Sequence, residues 1–154
     1  MNLKVSLSTD AEGFLSQECP VCGKRFKVMF GEGSDRAIGH CPYCGHAGKD
    51  CWWTKEQAAY LTGVVGERMV NPMLEDFARG VNRMNRGHAL VQMKARVKRS
   101  PPARPPVEPN RPMPVATFPC CNERIKHDGS TAQVHCIICG KVTDLRQLPA
   151  GANA

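Results

Sequence analysis

A small α+β protein is what the sequence predicts, with two cysteine-bearing β modules joined by a helical segment, a basic strand and a proline-rich tether. Three observations predict it. The phrase HCPYCG, His40 to Gly45, returns as HCIICG, His135 to Gly140. Between the two copies lies a stretch whose apolar residues recur every four positions, as on one face of a helix. The chain has 154 residues, 6% of them aromatic, with twelve prolines and fourteen glycines, which is thin material for one large core.

Composition places the boundaries. Residues 1–51 form a glycine-rich module with five cysteines, in which Leu3, Val5, Leu7 and then Phe26, Val28, Phe30 alternate as in short strands. Residues 52–86 are helical, residues 87–99 alternate apolar with basic, and residues 100–116 are rich in proline. Residues 117–148 return to the style of the first module as a degenerate repeat, and residues 149–154 are a tail.

Nine cysteines set the chemistry. The opening MNLKVSLSTDAEGF lacks the apolar region of a secretory leader, and no run approaches a membrane span, so the expected setting is the reducing cytoplasm with no membrane partner. There, closely spaced cysteines serve more often as metal ligands than as disulfides.

The first module carries the most specific pattern. Cys19 and Cys22 are followed, after eighteen intervening residues, by Cys41 and Cys44. Two thiolates three residues apart on a tight turn occupy two corners of a tetrahedron, and a second such turn supplies the other two. Gly23 and Gly45 follow the second cysteine of each turn, where positive φ is expected. Residues 14–48 therefore resemble a zinc ribbon, the rubredoxin-like class of small zinc modules. The resemblance implies one structural Zn2+ held by Cys19, Cys22, Cys41 and Cys44. A redox dithiol is the alternative, but the βαβ surroundings of a thioredoxin-like pair are missing.

The second module departs from the pattern. Aligning CGKRFK, residues 22–27, with CNERIK, residues 121–126, matches Cys121 to Cys22 and puts Asn122 where a glycine stood. Asparagine is the next most tolerant residue in a left-handed turn. The partner expected three residues earlier is Phe118, and a cysteine sits at Cys120 instead. Cys120, Cys121, Cys136 and Cys139 are the candidate ligands of a second structural Zn2+, with His127 or His135 able to replace Cys120. A metal-free remnant is the competing reading. The F-x-C-C and C-x2-C-G phrases of this half resemble those of uncharacterised bacterial double-zinc-ribbon proteins, a resemblance that carries fold and metal and no specific activity.

Other sulfur and imidazole groups are discounted. Cys51 has no partner at ligand spacing and reads as a small buried apolar residue. Four cysteines already fill the first site, which leaves His40 beside it or exposed, and His46 and His88 read as surface residues.

The helical segment opens on Thr54 and Gln57, a capping box, with Trp53 placed to staple onto Ala58. Leu61, Val65, Met69, Met73, Phe77 and Val81 then form an apolar stripe, expected to face a core or a second copy of the chain. Pro72 interrupts it, and Asn71 is placed to cap a new helix; one kinked helix and two consecutive helices are both open.

Between Arg79 and Arg111 stand nine basic residues against one acid. Two four-thiolate zinc sites would take four from the formal charge of +7, so the local cluster says more than the total. Lys94, Arg96 and Lys98 alternate with Val91, Met93, Ala95 and Val97, and with Arg99 they form the candidate nucleic-acid contact. A strand edge kept from aggregating by its charges is the bland alternative.

No HExxH, P-loop or GxGxxG motif is present, and zinc held by four cysteines has no open position for water. The chain is thus expected to be non-catalytic, with no small-molecule substrate. It is read as a zinc-binding module for nucleic acid, or alternatively as a protein adapter using the ribbons and the helix. A thiol-based redox role centred on Cys120 is the minor alternative. Stacking aromatics would favour nucleic acid, and the ribbons offer Tyr43, Phe14, Phe26, Phe30 and Phe118. A large exposed apolar face on the helix would favour the adapter.

Overall fold

A computed structural model describes residues 5–30, 37–49, 52–84, 86 and 93–148. Leu3, Cys51, His88, Val91 and the tail 149–154 lie outside the described residues. The chain divides into two compact units, one of Ser8–Thr54 with Val107–Ala154 and one of Met1–Leu7 with Lys55–Pro106.

The first unit holds both cysteine modules. Strands β1 (Phe14–Glu18) and β2 (Arg25–Met29) form an antiparallel hairpin, and β3 (Val115–Phe118) and β4 (Glu123–Lys126) form its counterpart. The hairpins join edge to edge through β2 and β4, where Lys27 faces Lys126 and Val28 faces Ile125, giving one four-stranded sheet in the order β1-β2-β4-β3. Strands β5 (Gln133–His135) and β6 (Val142–Asp144) make a second small sheet, matched in the first module by an isolated bridge between His40 and Ala47. His135 pairs with Val142, at the same spacing as the His40 bridge, so the two halves repeat one plan.

Each hairpin alone would leave its inner face wet. Joined, they bury Phe26, Val28, Phe118, Ile125, Val134 and Ile137 in a single core with Cys19, Cys41, Cys136, Tyr43 and Trp52. Burial of such side chains contributes about 1.5 to 3 kcal/mol each, the term that a single small module lacks. Tyr43 ties the halves, its hydroxyl donating to Arg25 O at 2.9 Å and accepting from Asp128 N at 3.1 Å.

The tether is part of this unit from Val107 onward. Glu108 accepts from Ser16 Oγ and pairs with Lys27 Nζ at 3.1 Å, and Lys27 also donates to Pro109 O at 2.6 Å. Pairing into β3 begins at Val115, so the second module starts two residues before its expected boundary.

The other unit is helical. Helix α1 (Lys55–Val65) runs through a π-helical turn (Gly66–Val70) into α2 (Asn71–Met84). Of the two arrangements left open, the continuous one is found. Pro72 has no N–H and would crowd a carbonyl of the preceding turn; the wider π turn, closed by Asn71 N to Gly66 O, accommodates it. Asn71 is itself helical, φ −58° and ψ −48°, and so does not cap a new helix. Its buried amide instead brackets Ser100, accepting from Ser100 N at 3.0 Å and donating to Ser100 O at 3.4 Å.

Three expectations are corrected here. Val5 and Leu7 carry no strand. Residues 93–99 form no strand either, because their continuation takes its hydrogen bonds from helix side chains, Asn71 to Ser100 and Glu67 to Ala103 N at 3.2 Å, and Pro101 and Pro102 cannot donate to a ladder. In exposure the alternation survives at Ala95 and Val97 alone, half-buried among exposed Lys94, Arg96, Lys98 and Arg99, while Met93 is exposed as well. The apolar stripe, lastly, faces no core of this chain along α2, where Met73, Leu74, Phe77 and Met84 are exposed, and that exposure leaves the other expected cover, a second copy of the chain, untouched.

Candidate metal centres

The turn after β1 brings Cys19 and Cys22 together. Gly23 N donates to Cys19 O at 2.9 Å, and the turn closes through left-handed Gly23, φ 68°. Cys41 and Cys44 lie on a matching turn closed by Gly45 N to Cys41 O at 3.0 Å. All four sulfurs lie within 4.8 Å of one another. Cys19 Sγ is 3.7 Å from Cys44 Sγ, and Cys22 Sγ is 3.8 Å from Cys41 Sγ. A tetrahedral site with metal–sulfur bonds of about 2.3 Å has an edge of about 3.8 Å, so the donor set fits a four-thiolate metal.

The second centre gathers Cys120, Cys121, Cys136 and Cys139, again within 4.8 Å, with Cys120 Sγ and Cys139 Sγ 3.5 Å apart. Asn122 N donates to Phe118 O at 2.8 Å, the counterpart of the Gly23 bond, so Phe118 stands where Cys19 stands in the first centre. The missing sulfur comes from Cys120, at the position of exposed Val21 on the turn. His127 lies elsewhere, buried and accepting from Gly129 N at 3.1 Å. His135 Nδ1 donates to Gly140 O at 3.4 Å.

One thiol in each centre is held low. Burial opposes ionisation of Cys19, but the N–H groups of Cys22 and Val21 bring it to about 7. The N–H of Lys141, then the Cys120 thiol, hold Cys139 at about 7. Burial pushes Cys41 upward, and burial with the neighbouring Cys136 and Cys139 raises Cys120 to about 12. Filling either centre with a four-thiolate metal therefore releases protons, and its affinity falls in acid.

Behind the sulfurs the two repeated phrases contact each other. Gly39 N and His40 N donate to Ile137 O at 2.8 and 3.0 Å, and His135 N donates to Pro42 O at 2.9 Å. The His40 ring lies where a side chain on Gly140 would be, 2.8 Å from a Cβ there, and the His135 ring lies 2.7 Å from a Cβ built on Gly45. His40 Nδ1 donates to Ile138 O at 3.2 Å. The repetition of both His and Gly follows, since each histidine is seated on the other module's glycine. His46 is half-buried against Trp52, ring centroids 6.2 Å apart, and is not simply a surface residue.

Sequence reasoning missed a buried charge cluster. Lys27 and Lys126 occupy the same place in the two repeats, five residues after Cys22 and Cys121. Both donate to Asp10 Oδ2, at 3.1 and 2.9 Å. The repeated lysine in CGKRFK and CNERIK was the available sign.

Among the basic candidates, Arg99 pairs with Glu75 at 2.8 Å, while Lys94, Arg96 and Lys98 are exposed. They stand in the helical unit, apart in sequence and unit from both cysteine centres. Among the described residues no helix is long and apolar enough to cross a membrane. No protein-family model matches the chain, and no curated protein or solved structure shows significant similarity to it.

Proposed function

We propose that the chain is a non-catalytic adapter in which two Zn2+ ions staple the double cysteine unit and the helical unit presents a surface to a protein partner. The cysteine sets support the first part, since four thiolates at tetrahedral spacing leave no open coordination position for substrate. The observation that carries the second is the row Val70, Met73, Leu74, Phe77 and Met84, which stands 39 to 70% exposed. The same unit exposes Lys94, Arg96 and Lys98. A partner with apolar and acidic side chains matches both features, by apolar anchors in one row and charge pairing beside it.

Nucleic acid is the second reading, supported by those three lysine and arginine residues. In the cysteine unit Phe14, Phe26, Tyr43, Trp52 and Phe118 are buried, which leaves Phe30 and Trp53, 60% and 36% exposed, as the aromatic faces a base could stack on among the described residues.

The test places a photoreactive benzoylphenylalanine at Phe77 in cells. The expected adduct is protein, survives nuclease, and is lost both on Leu74→Asp and on the triple change Lys94→Gln, Arg96→Gln, Lys98→Gln. Labelled duplex DNA, single-stranded DNA and RNA should give flat titrations at about 100 mM salt. Binding that weakens steeply with salt and disappears in the triple variant would replace the adapter by the nucleic-acid reading.

A further inference from the structure

The two centres differ in access to their sulfurs. In the first, each close pair includes a buried cysteine, Cys19 at 1% exposure opposite Cys44 and Cys41 at 0% opposite Cys22. In the second, one close pair, Cys120 and Cys139 at 3.5 Å, has both members exposed. The cause lies in the turn. Because Phe118 occupies the buried ligand position, the fourth sulfur comes from the outer edge of the turn. Beside it opens a cleft of about 490 Å³ lined by Pro119, Cys120, Gln133, Lys141, Thr143 and Asp144 among others, space enough for a small polar reactant.

We propose that the second centre is an oxidation-sensitive metal site, in which a peroxide-class oxidant joins Cys120 to Cys139 and expels the metal while the first centre keeps its own. The inference rests on the zinc reading above. Cys120, bordering the cleft, is the sulfur a peroxide meets first. Ligation would keep Cys120 deprotonated where the free thiol would not be. Its thiolate attacks one oxygen of hydrogen peroxide, forming an S–O bond as the O–O bond breaks, and the departing hydroxide takes a proton to become water. The Cys139 thiolate then attacks that sulfur, forming the S–S bond and breaking the S–O bond, and the second hydroxide leaves as water on taking a proton. Two electrons have passed from two thiolates to the peroxide. With two of four donors gone, the remaining Cys121 and Cys136 do not hold the ion.

The experiment uses the full chain as purified. Metal is counted first, with two zinc per chain expected. Hydrogen peroxide is then added in the presence of a chromogenic zinc indicator, and disulfides are mapped by mass spectrometry. The expected result is release of one zinc per chain with a Cys120–Cys139 disulfide, reversed by thiol reductant. Cys120→His retains a metal donor and removes the oxidisable pair, so it should keep two zinc and release the second at least tenfold more slowly. Release from the first centre first, loss of both ions together, or a Cys120→His variant as sensitive as the parent would overturn the proposal. A chain that holds two zinc and keeps both under peroxide refutes the proposal alone. A chain purified without zinc refutes the zinc reading and the proposal with it.

Discussion

Asn122 shows how a repeat can drift without losing its turn. Its φ of 55° lies beside the 68° of Gly23, its counterpart, and among the described residues it is the one non-glycine with positive φ. The left-handed region costs an ordinary side chain roughly 1 to 2 kcal/mol, and asparagine least. Because Asn122 is exposed, that backbone term is almost all a substitution there would change. Asn122→Ala is expected to destabilise the metal-loaded protein by about 1 kcal/mol, whereas Asn122→Gly should be neutral or slightly stabilising. Denaturant titrations of the three proteins decide it. Equal midpoints for alanine and glycine would mean that the turn imposes no conformational demand. At the same scale, a buried aromatic, Phe118, stands at the position that corresponds to Cys19, and the fourth sulfur of the second set stands at the outer edge of the turn.

The two cysteine turns are coupled directly. Each lies against the histidine that opens the other phrase, and the space is so close that a methyl group on Gly45 would meet His135 at 2.7 Å. Gly45→Ala should therefore carry two costs, the left-handed backbone and the collision with a ring from the other module. In a His135→Ala background only the first remains. The cycle of Gly45→Ala and His135→Ala is expected to show an interaction energy on the order of 1 kcal/mol, with the mirrored cycle at Gly140 and His40 behaving alike. Strict additivity would show that the modules are neighbours without mechanical contact. Much of this was legible in advance: Cys19, Cys22, Cys41 and Cys44, the turn glycines, β2 and the helical segment follow from spacing and local backbone demands. The joining of the hairpins was not, because β2 and β4 meet through only two residue pairs drawn from far apart in the chain, and nothing local in RFKVM or ERIK names its neighbour. The basic strand failed for a related reason. Alternation shows which side chains share a face and is silent on whether a ladder partner exists; here the asparagine amide of α2 takes up the hydrogen bonds at Ser100.

Taken whole, the cysteine unit joins its hairpins through ionised groups as well as through its apolar core. Lys27 and Lys126 face each other across the β2–β4 junction, their side chains 3% and 2% exposed, and would repel without the carboxylate of Asp10 between them. Glu108 from the tether and Glu12 complete the set, at 3.1 Å from Lys27 and from Lys126 respectively. The cluster thus joins the N-terminal segment, both hairpins and the tether in one electrostatic knot. Burial alone would raise the Asp10 carboxyl, but hydrogen bonds from Lys126, Phe14 N, Lys27 and Glu12 N hold it at about 2, below its ordinary 3.8. A depressed acid stabilises the fold above its unfolded value and loses that contribution as pH falls through the folded value. The window is therefore about pH 4 to 2, and the contribution at neutral pH is about 2 kcal/mol. Asp10→Asn removes it and also leaves two buried ammonium groups short of a counter-charge, so the cost at pH 7 should reach roughly 3 kcal/mol. Metal loss in acid affects parent and variant alike, so their difference isolates the carboxylate. That difference, from denaturant titrations at matched metal loading, should stay level between pH 7 and 5 and shrink below 4. A cost under about 1 kcal/mol at pH 7 would mean that water screens the cluster as it screens surface pairs, and the join between the modules would then rest on the shared apolar core and the histidine–glycine contacts alone.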